Sequence, residues 1–188
     1  MGCDHAYLAS DRAMAGADTL ATARCLAAAI RKIGRFDLVF CGAHSADGST
    51  AQVGPQVAEL LDVPDLTDVV SLEIQGAGLC AVSRVEDGEI VFECDLPALV
   101  TFDREANRPR LPAMSGIRRA RGLPVVSWDL RDLGLAADEA GLAGSPTRML
   151  NMYTRTPGRK GEMLTGSPVE MADRLAEKLV RERLIESA

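Results

Sequence analysis

A run of small hydroxyl, amide and glycine residues between an apolar strand and a helix can hold a phosphate without a charged side chain. Residues 37–61, DLVFCGAHSADGSTAQVGPQVAELL, have that form. Leu38 to Cys41 are a short apolar run bounded by Gly42, as in a buried strand, and Gln56 to Leu61 read as the start of an amphipathic helix. Between them lie Gly42, Asp47, Gly48, Ser49, Thr50, Gln52 and Gly54, which crowd backbone N–H groups and hydroxyls where a helix leaves its first donors unpaired. The loop has no Lys and the wrong glycine spacing for GxxxxGK[ST], and it lacks GxGxxG, so neither a Walker A loop nor the usual dinucleotide fingerprint is present. A second reading is simple capping: Ser49 and Gln52 fit the S-x-x-Q box, with Gly54-Pro55 as an irregular first turn. Spacing leaves both open.

The elements around the loop alternate. Ala6 to Ala9 reads as a strand, and Asp18 caps a helix running to about Ile33, where Gly34 stops it. Val63-Pro64 ends the loop helix, and Thr67 to Ile74 follows as a strand. Leu79–Val85 and Glu89–Cys94 flank Asp87-Gly88, a two-residue hairpin signal, and Ala98–Phe102 and Val125–Trp128 are further strands. The pattern predicts a mixed α/β sheet with the hairpin at an edge or in its own lobe. Arg148 to Thr154 reads as a last extended segment, and Ser167-Pro168-Val169-Glu170 opens a final helix. Its stripe of Met171, Leu175 and Leu179 follows a polar linker at Thr156–Gly166, so it packs either on a partner or on its own domain.

The 188 residues allow one substantial core, and the formal charge of −6 argues against a general nucleic-acid binder. No apolar stretch reaches the length of a membrane span, and the opening MGCDHAYLAS lacks the regions of a signal peptide, so a cytoplasmic protein is expected. Cys3, Cys25, Cys41, Cys80 and Cys94 include no CxxC pair and read as reduced and mostly buried. His5 and His44 stand in separate segments, so no metal site is expected, and the absence of GxSxG argues against a hydrolase. No catalytic residue can be named.

Between Asp103 and Arg121 lie Arg104, Arg108, Arg110, Arg118, Arg119 and Arg121. These six arginines in an acidic chain are either a solvated loop and short helix or a docking surface for an acidic partner. Met114 among them is either an apolar anchor or a core residue.

These residues together resemble the β subunit of the electron transfer flavoproteins. The resemblance rests on GADTLATARCLAAAI at 16–30, CGAHSADGSTAQVGPQVAELL at 41–61, DLPALVTFDREANRPRLPAMSGIRRAR at 95–121 and GLAGSPTRMLNMYTRTP at 141–157. It implies a Rossmann-like fold of the adenine nucleotide α hydrolase type, a sheet with helices on both faces, in residues 1–155. A linker and helical arm would occupy 156–188. It further implies AMP or FAD wrapped by Ser45, Ala46, Asp47, Gly48, Ser49, Thr50, Ala51, Gln52, Val53 and Gly54, with Ser49 replacing the aspartate of the family's DGDTAQVGP. Arg110, Met114 and Arg119 correspond to the family's partner-docking loop. The expected partners are an α subunit carrying the electron-transferring FAD, and a flavin dehydrogenase such as an acyl-CoA dehydrogenase. The chain would bind nucleotide and dock partners without bond chemistry of its own, with electron bifurcation possible only in complex. The alternative is a nucleotide-binding regulatory or structural module that has lost electron transfer. Met1 corresponds to a point beyond the family's first strands, so the resemblance implies a sheet incomplete at its N-terminus. Weakened nucleotide binding and self-association of the isolated chain would follow.

Overall fold

In the computed structural model, residues 1–151, 153 and 161–185 are described. The chain divides into two compact units, Met1–Met149 and Leu150–Ala188. In the first, β1 (Ala6–Ala9) leads through a single 3-10 turn to α1 (Thr19–Ile33) and then to β2 (Leu38–Gly42) and α2 (Val53–Leu61). There follow β3 (Asp65–Gln75), β4 (Gly78–Val85), β5 (Gly88–Asp95), β6 (Ala98–Phe102), α3 (Met114–Ala120) and β7 (Val125–Trp128). The second unit holds α4 (Pro168–Arg181).

The strands form a five-stranded sheet in the order β2-β6-β3-β4-β5 and a separate parallel pair, β1-β7. β2 and β3 both run parallel to β6, with Leu38 to Gly42 in register with Ala98 to Phe102. The hairpin β4-β5 adds antiparallel strands at one edge, the first of the two placements the sequence allowed. Val85 pairs with Gly88, so the turn residues are Glu86 and Asp87, one position earlier than the Asp-Gly signal suggests. Gly88 then opens β5 at a φ of 153°.

Alternation along β6 builds two cores. Ala98 and Val100 join Leu66, Val69, Leu79 and Ala81 in one buried cluster. Leu99, one residue out of phase and so on the opposite face, packs with Ala23, Val57 and Ala58 from α1 and α2. Alanines at the meeting of α1 and α2 let the helix backbones come close, and the fully buried Val57 contributes about 1.5–3 kcal/mol by leaving water. α1 starts where Asp18 accepts from the Ala21 N–H at 3.0 Å and stops at Gly34, which takes a φ of 108°.

β1 and β7 carry a different kind of contact. Tyr7 and Trp128 stack with centroids 4.7 Å apart, and the Lys32 ammonium lies 5.4 Å from the Trp128 ring. All five cysteines are free, but Cys25 alone is buried and Cys3 is exposed, so they are less buried than expected. Residues 148–151 form no strand, and Met152 and Thr154 of that expected extended segment lie outside the described residues, as does most of the expected linker. α4 begins with the predicted capping box: Ser167 Oγ accepts from the Glu170 N–H, and the Glu170 carboxylate accepts from Ser167 N–H at 2.8 Å.

Candidate nucleotide site and a basic docking surface

The loop 43–52 leaves the carboxyl end of β2, beside the carboxyl end of β6, the usual ligand position of a parallel α/β sheet. The Ala43 N–H donates to the Phe102 carbonyl at 2.9 Å and fixes the loop's origin. Its far end is fixed by packing. Gly54, in the first turn of α2, is buried, and a Cβ there would overlap Cγ2 of Thr101 on β6. The helix start can therefore approach the strand only with glycine at this position. Thr101 is itself 2% exposed, and its hydroxyl accepts from the Asp68 N–H at 3.2 Å. Asp68 sits at a left-handed φ of 52°, where β3 bulges between Leu66 and Val69.

The loop is not a capping box. Ser49 takes a φ of 49°, and α2 starts at Val53, after an N-cap Gln52 that makes no side-chain cap bond. The Gln52 side chain instead accepts from the Thr19 hydroxyl at 3.1 Å, joining the loop to the start of α1. Ala51 is also left-handed, at a φ of 55°. Two non-glycine residues in this region, one residue apart, are held against a steric cost of roughly 1–2 kcal/mol each. Strain of this kind concentrates where a loop is shaped for a ligand.

The electrostatics follow from the donors. The N–H groups of Thr50, Ala51, Gln52, Val53 and Gly54 have no acceptor among the described residues. Ser45 Oγ accepts from the Gly48 N–H at 3.4 Å, and Ser49 N–H donates to the Ser45 carbonyl at 3.1 Å. Asp47 is the single carboxylate between Ala43 and Gly54. The Ser45 hydroxyl, followed by the Gly48 and Asp47 N–H groups, holds it below its ordinary range. Asp47 is therefore an exposed, ionised carboxylate of the loop. Ser45 through Gln52 are exposed, Val53 is half-buried and Gly54 is buried. Exposed donors at a helix start suit a phosphate. Among the described residues no cluster of metal ligands occurs.

A clamp that sequence reasoning missed stabilises the neighbouring end of α1. The Asp18 N–H donates to Ser145 Oγ at 2.8 Å, Ser145 donates to the Gly141 carbonyl at 2.6 Å, and the Asp18 carboxylate accepts from the Thr147 N–H at 2.9 Å. Burial pushes the Asp18 carboxyl upward, but the bonds from Ala21 and Thr147 outweigh it and hold the group below its ordinary range. The cap itself was legible. Its partners, more than 120 residues away, carried no local signal.

Arg110 precedes α3, Met114 opens it and Arg119 stands in its last turn, with Arg110 and Arg119 lining one recess. Met114 is 79% exposed, which removes the core reading and leaves it at the surface. Arg110 donates to the Met1 carbonyl at 3.1 Å, and Arg84 pairs with Glu105 at 2.6 Å where the arginine-rich segment begins.

Comparison with known proteins extends this. The family model described as electron transfer flavoprotein domain matches residues 1–133. The chain is 44% identical to the electron transfer flavoprotein subunit beta of Thermoanaerobacterium thermosaccharolyticum, over 95% of this chain and 69% of that protein. It is 41% identical to the caffeyl-CoA reductase-Etf complex subunit CarD of Acetobacterium woodii, over 98% of this chain and 71% of that protein. With protein FixA of Bradyrhizobium diazoefficiens it shares 38% identity, over 95% of this chain and 64% of that protein.

Proposed function

Because this chain belongs to the electron transfer flavoprotein family, we propose that it is the β subunit of a cytoplasmic electron-transferring heterodimer, holding AMP or FAD and docking dehydrogenases. The observation that carries the nucleotide half is the run of unpaired N–H groups from Thr50 to Gly54, set at the carboxyl edge of the sheet by the Gly54–Thr101 contact. These donors, with the Ser49 and Thr50 hydroxyls, would take the phosphates, and the start of α2 adds the positive end of its dipole. Ser49 offers a hydroxyl without a negative charge, which favours an anion beside it. Of the two candidate ligands, FAD supplies a redox centre and AMP supplies none.

The chain's own part is to bind and to position. The left-handed residues Ser49 and Ala51 give the loop the kind of backbone from which anion-binding nests are built. The flavin-bearing partner is an α subunit, and the electron donor or acceptor is a flavin dehydrogenase acting on an acyl-CoA. The name of the Acetobacterium relative, a subunit of a caffeyl-CoA reductase complex, supports that substrate class.

The test is to co-express the chain with its α subunit, purify the complex, denature it, and identify the released nucleotide by mass spectrometry and absorbance. AMP with one flavin per heterodimer identifies a simple carrier, and two FAD identify a bifurcating one. A complex that forms but releases no nucleotide beyond the α-subunit flavin would overturn the assignment of loop 43–54.

A further inference from the structure

Leu111 is 93% exposed, the highest value among the large apolar side chains of the described residues. Three positions on, Met114 is 79% exposed, and Ile117 follows at 38%. These exposed apolar residues stand in a segment with six arginines, Arg104, Arg108, Arg110, Arg118, Arg119 and Arg121. Asp103 and Glu105 are the only acids between residues 103 and 121, and Glu105 is already taken by Arg84 at 2.6 Å. The segment is therefore strongly positive within a chain whose formal charge is −6. Leu111 lines a recess of about 300 Å³ together with Arg110, Ser115, Arg119 and, across from them, Met1 and Gly2, with no carboxylate side chain in its wall; Arg110 also donates to the Met1 carbonyl there. Neither Arg110 nor Arg119 has an ion-pair partner among the described residues.

An apolar knob next to an arginine-lined hole calls for a complementary surface of the opposite form. We propose that Leu111 is a second apolar anchor for the docking partner, seated beside Met114, and that the recess between Arg110 and Arg119 receives a carboxylate side chain from that partner. The partner is then a protein whose apolar pocket is rimmed by Asp or Glu. Arginine suits this role because its planar fork grips a carboxylate through two bonds. Apolar anchors surrounded by charge are the usual form of a docking site, in which the anchor supplies affinity and the charges supply rate and register. A nucleic acid fits less well, because the exposed apolar residues are aliphatic and the segment from 103 to 121 has no aromatic residue to stack a base. The inference rests on the docking half of the proposed function, and Met114 serves as the marker for that half.

The experiment uses the heterodimer of this chain with its α subunit and an acyl-CoA dehydrogenase reduced by its own acyl-CoA. Electron transfer is followed while the dehydrogenase concentration and the ionic strength are varied. Leu111→Ala is expected to raise KM for the dehydrogenase by about tenfold, as loss of one anchor does. The effect should fall on KM rather than kcat, with nucleotide content as in the unaltered complex, and Leu111→Met should recover most of it. Arg119→Gln should flatten the dependence of KM on ionic strength. If Met114→Ala raises KM while Leu111→Ala and Arg119→Gln do not, this proposal falls and the docking reading stands. If none of the three changes KM, both fall. Competition by a double-stranded DNA oligonucleotide would also overturn the proposal.

Discussion

Gly54 lies so close to Thr101 that a Cβ on the glycine would overlap the threonine methyl carbon. This one contact sets how far the start of α2 descends onto β6, and with it where the unpaired donors from Thr50 to Gly54 stand. Gly54→Ala should destabilise the chain by about 1–3 kcal/mol through overpacking and lower the nucleotide retained by the heterodimer. Thr101→Ser removes the obstructing methyl while keeping the hydroxyl that accepts from Asp68. The double variant should therefore regain most of the stability and the nucleotide. Denaturant midpoints and nucleotide content measure both, and an unrecovered double variant would refute the contact as the cause.

Ala51 provides a separate test of the loop's shape. At a φ of 55° its methyl group is a steric burden that glycine would not carry. Ala51→Gly should stabilise the chain by about 1 kcal/mol, and Ala51→Val, whose branched side chain tolerates this region least, should destabilise it by more. A glycine variant less stable than the parent by denaturant unfolding would mean that the left-handed conformation is wrong.

Much of this architecture was legible where a signal is local. Asp18 and Ser167 announced helix starts because capping needs only three neighbouring residues, and Asp87-Gly88 announced the hairpin, although the turn itself falls one position earlier, at Glu86 and Asp87. Ser49 and Gln52 matched the same kind of local rule and misled, because the close approach of Gly54 to a strand nearly fifty residues on decides where α2 begins. The Asp18–Ser145–Thr147 clamp and the Asp68–Thr101 bond were invisible for a related reason: each joins residues that only the fold brings together. The resemblance placed Met114 at a docking position. Leu111 escaped notice because an exposed leucine and a buried one look the same in a sequence.

Asp18 should make part of the chain's stability depend on acid. Its folded carboxyl lies below the ordinary carboxylate range, because the bonds from Ala21 and Thr147 outweigh the upward push of burial. A depressed folded value means stability that is fully present above the unfolded pKa and is lost as pH falls through the folded one. Asp18→Ala should cost about 1–2 kcal/mol at neutral pH, as loss of an N-cap does. The gap between parent and variant should then narrow below about pH 4. Urea titrations at pH 7 and pH 3 measure it, and a gap that stayed constant would rule out the carboxylate as its source.

Ser167 and Glu170 allow the C-terminal helix to be tested on its own. Their side chains satisfy each other's backbone donors, and the Ser167 N–H bond, then its hydroxyl, holds the Glu170 carboxyl below its ordinary range. α4 has no buried residue, so little packing compensates for a lost cap. Ser167→Ala should cost the helix about 1 kcal/mol, and Ser167→Asp, an equally good cap, should not. Far-UV circular dichroism of the full chain would show the loss as reduced helicity. The reduction should disappear when the α subunit is bound if α4 packs on that partner, because burial of Met171, Leu175 and Leu179 would then hold the helix without its cap. A deficit of the same size with and without the α subunit would place that stripe outside the subunit interface.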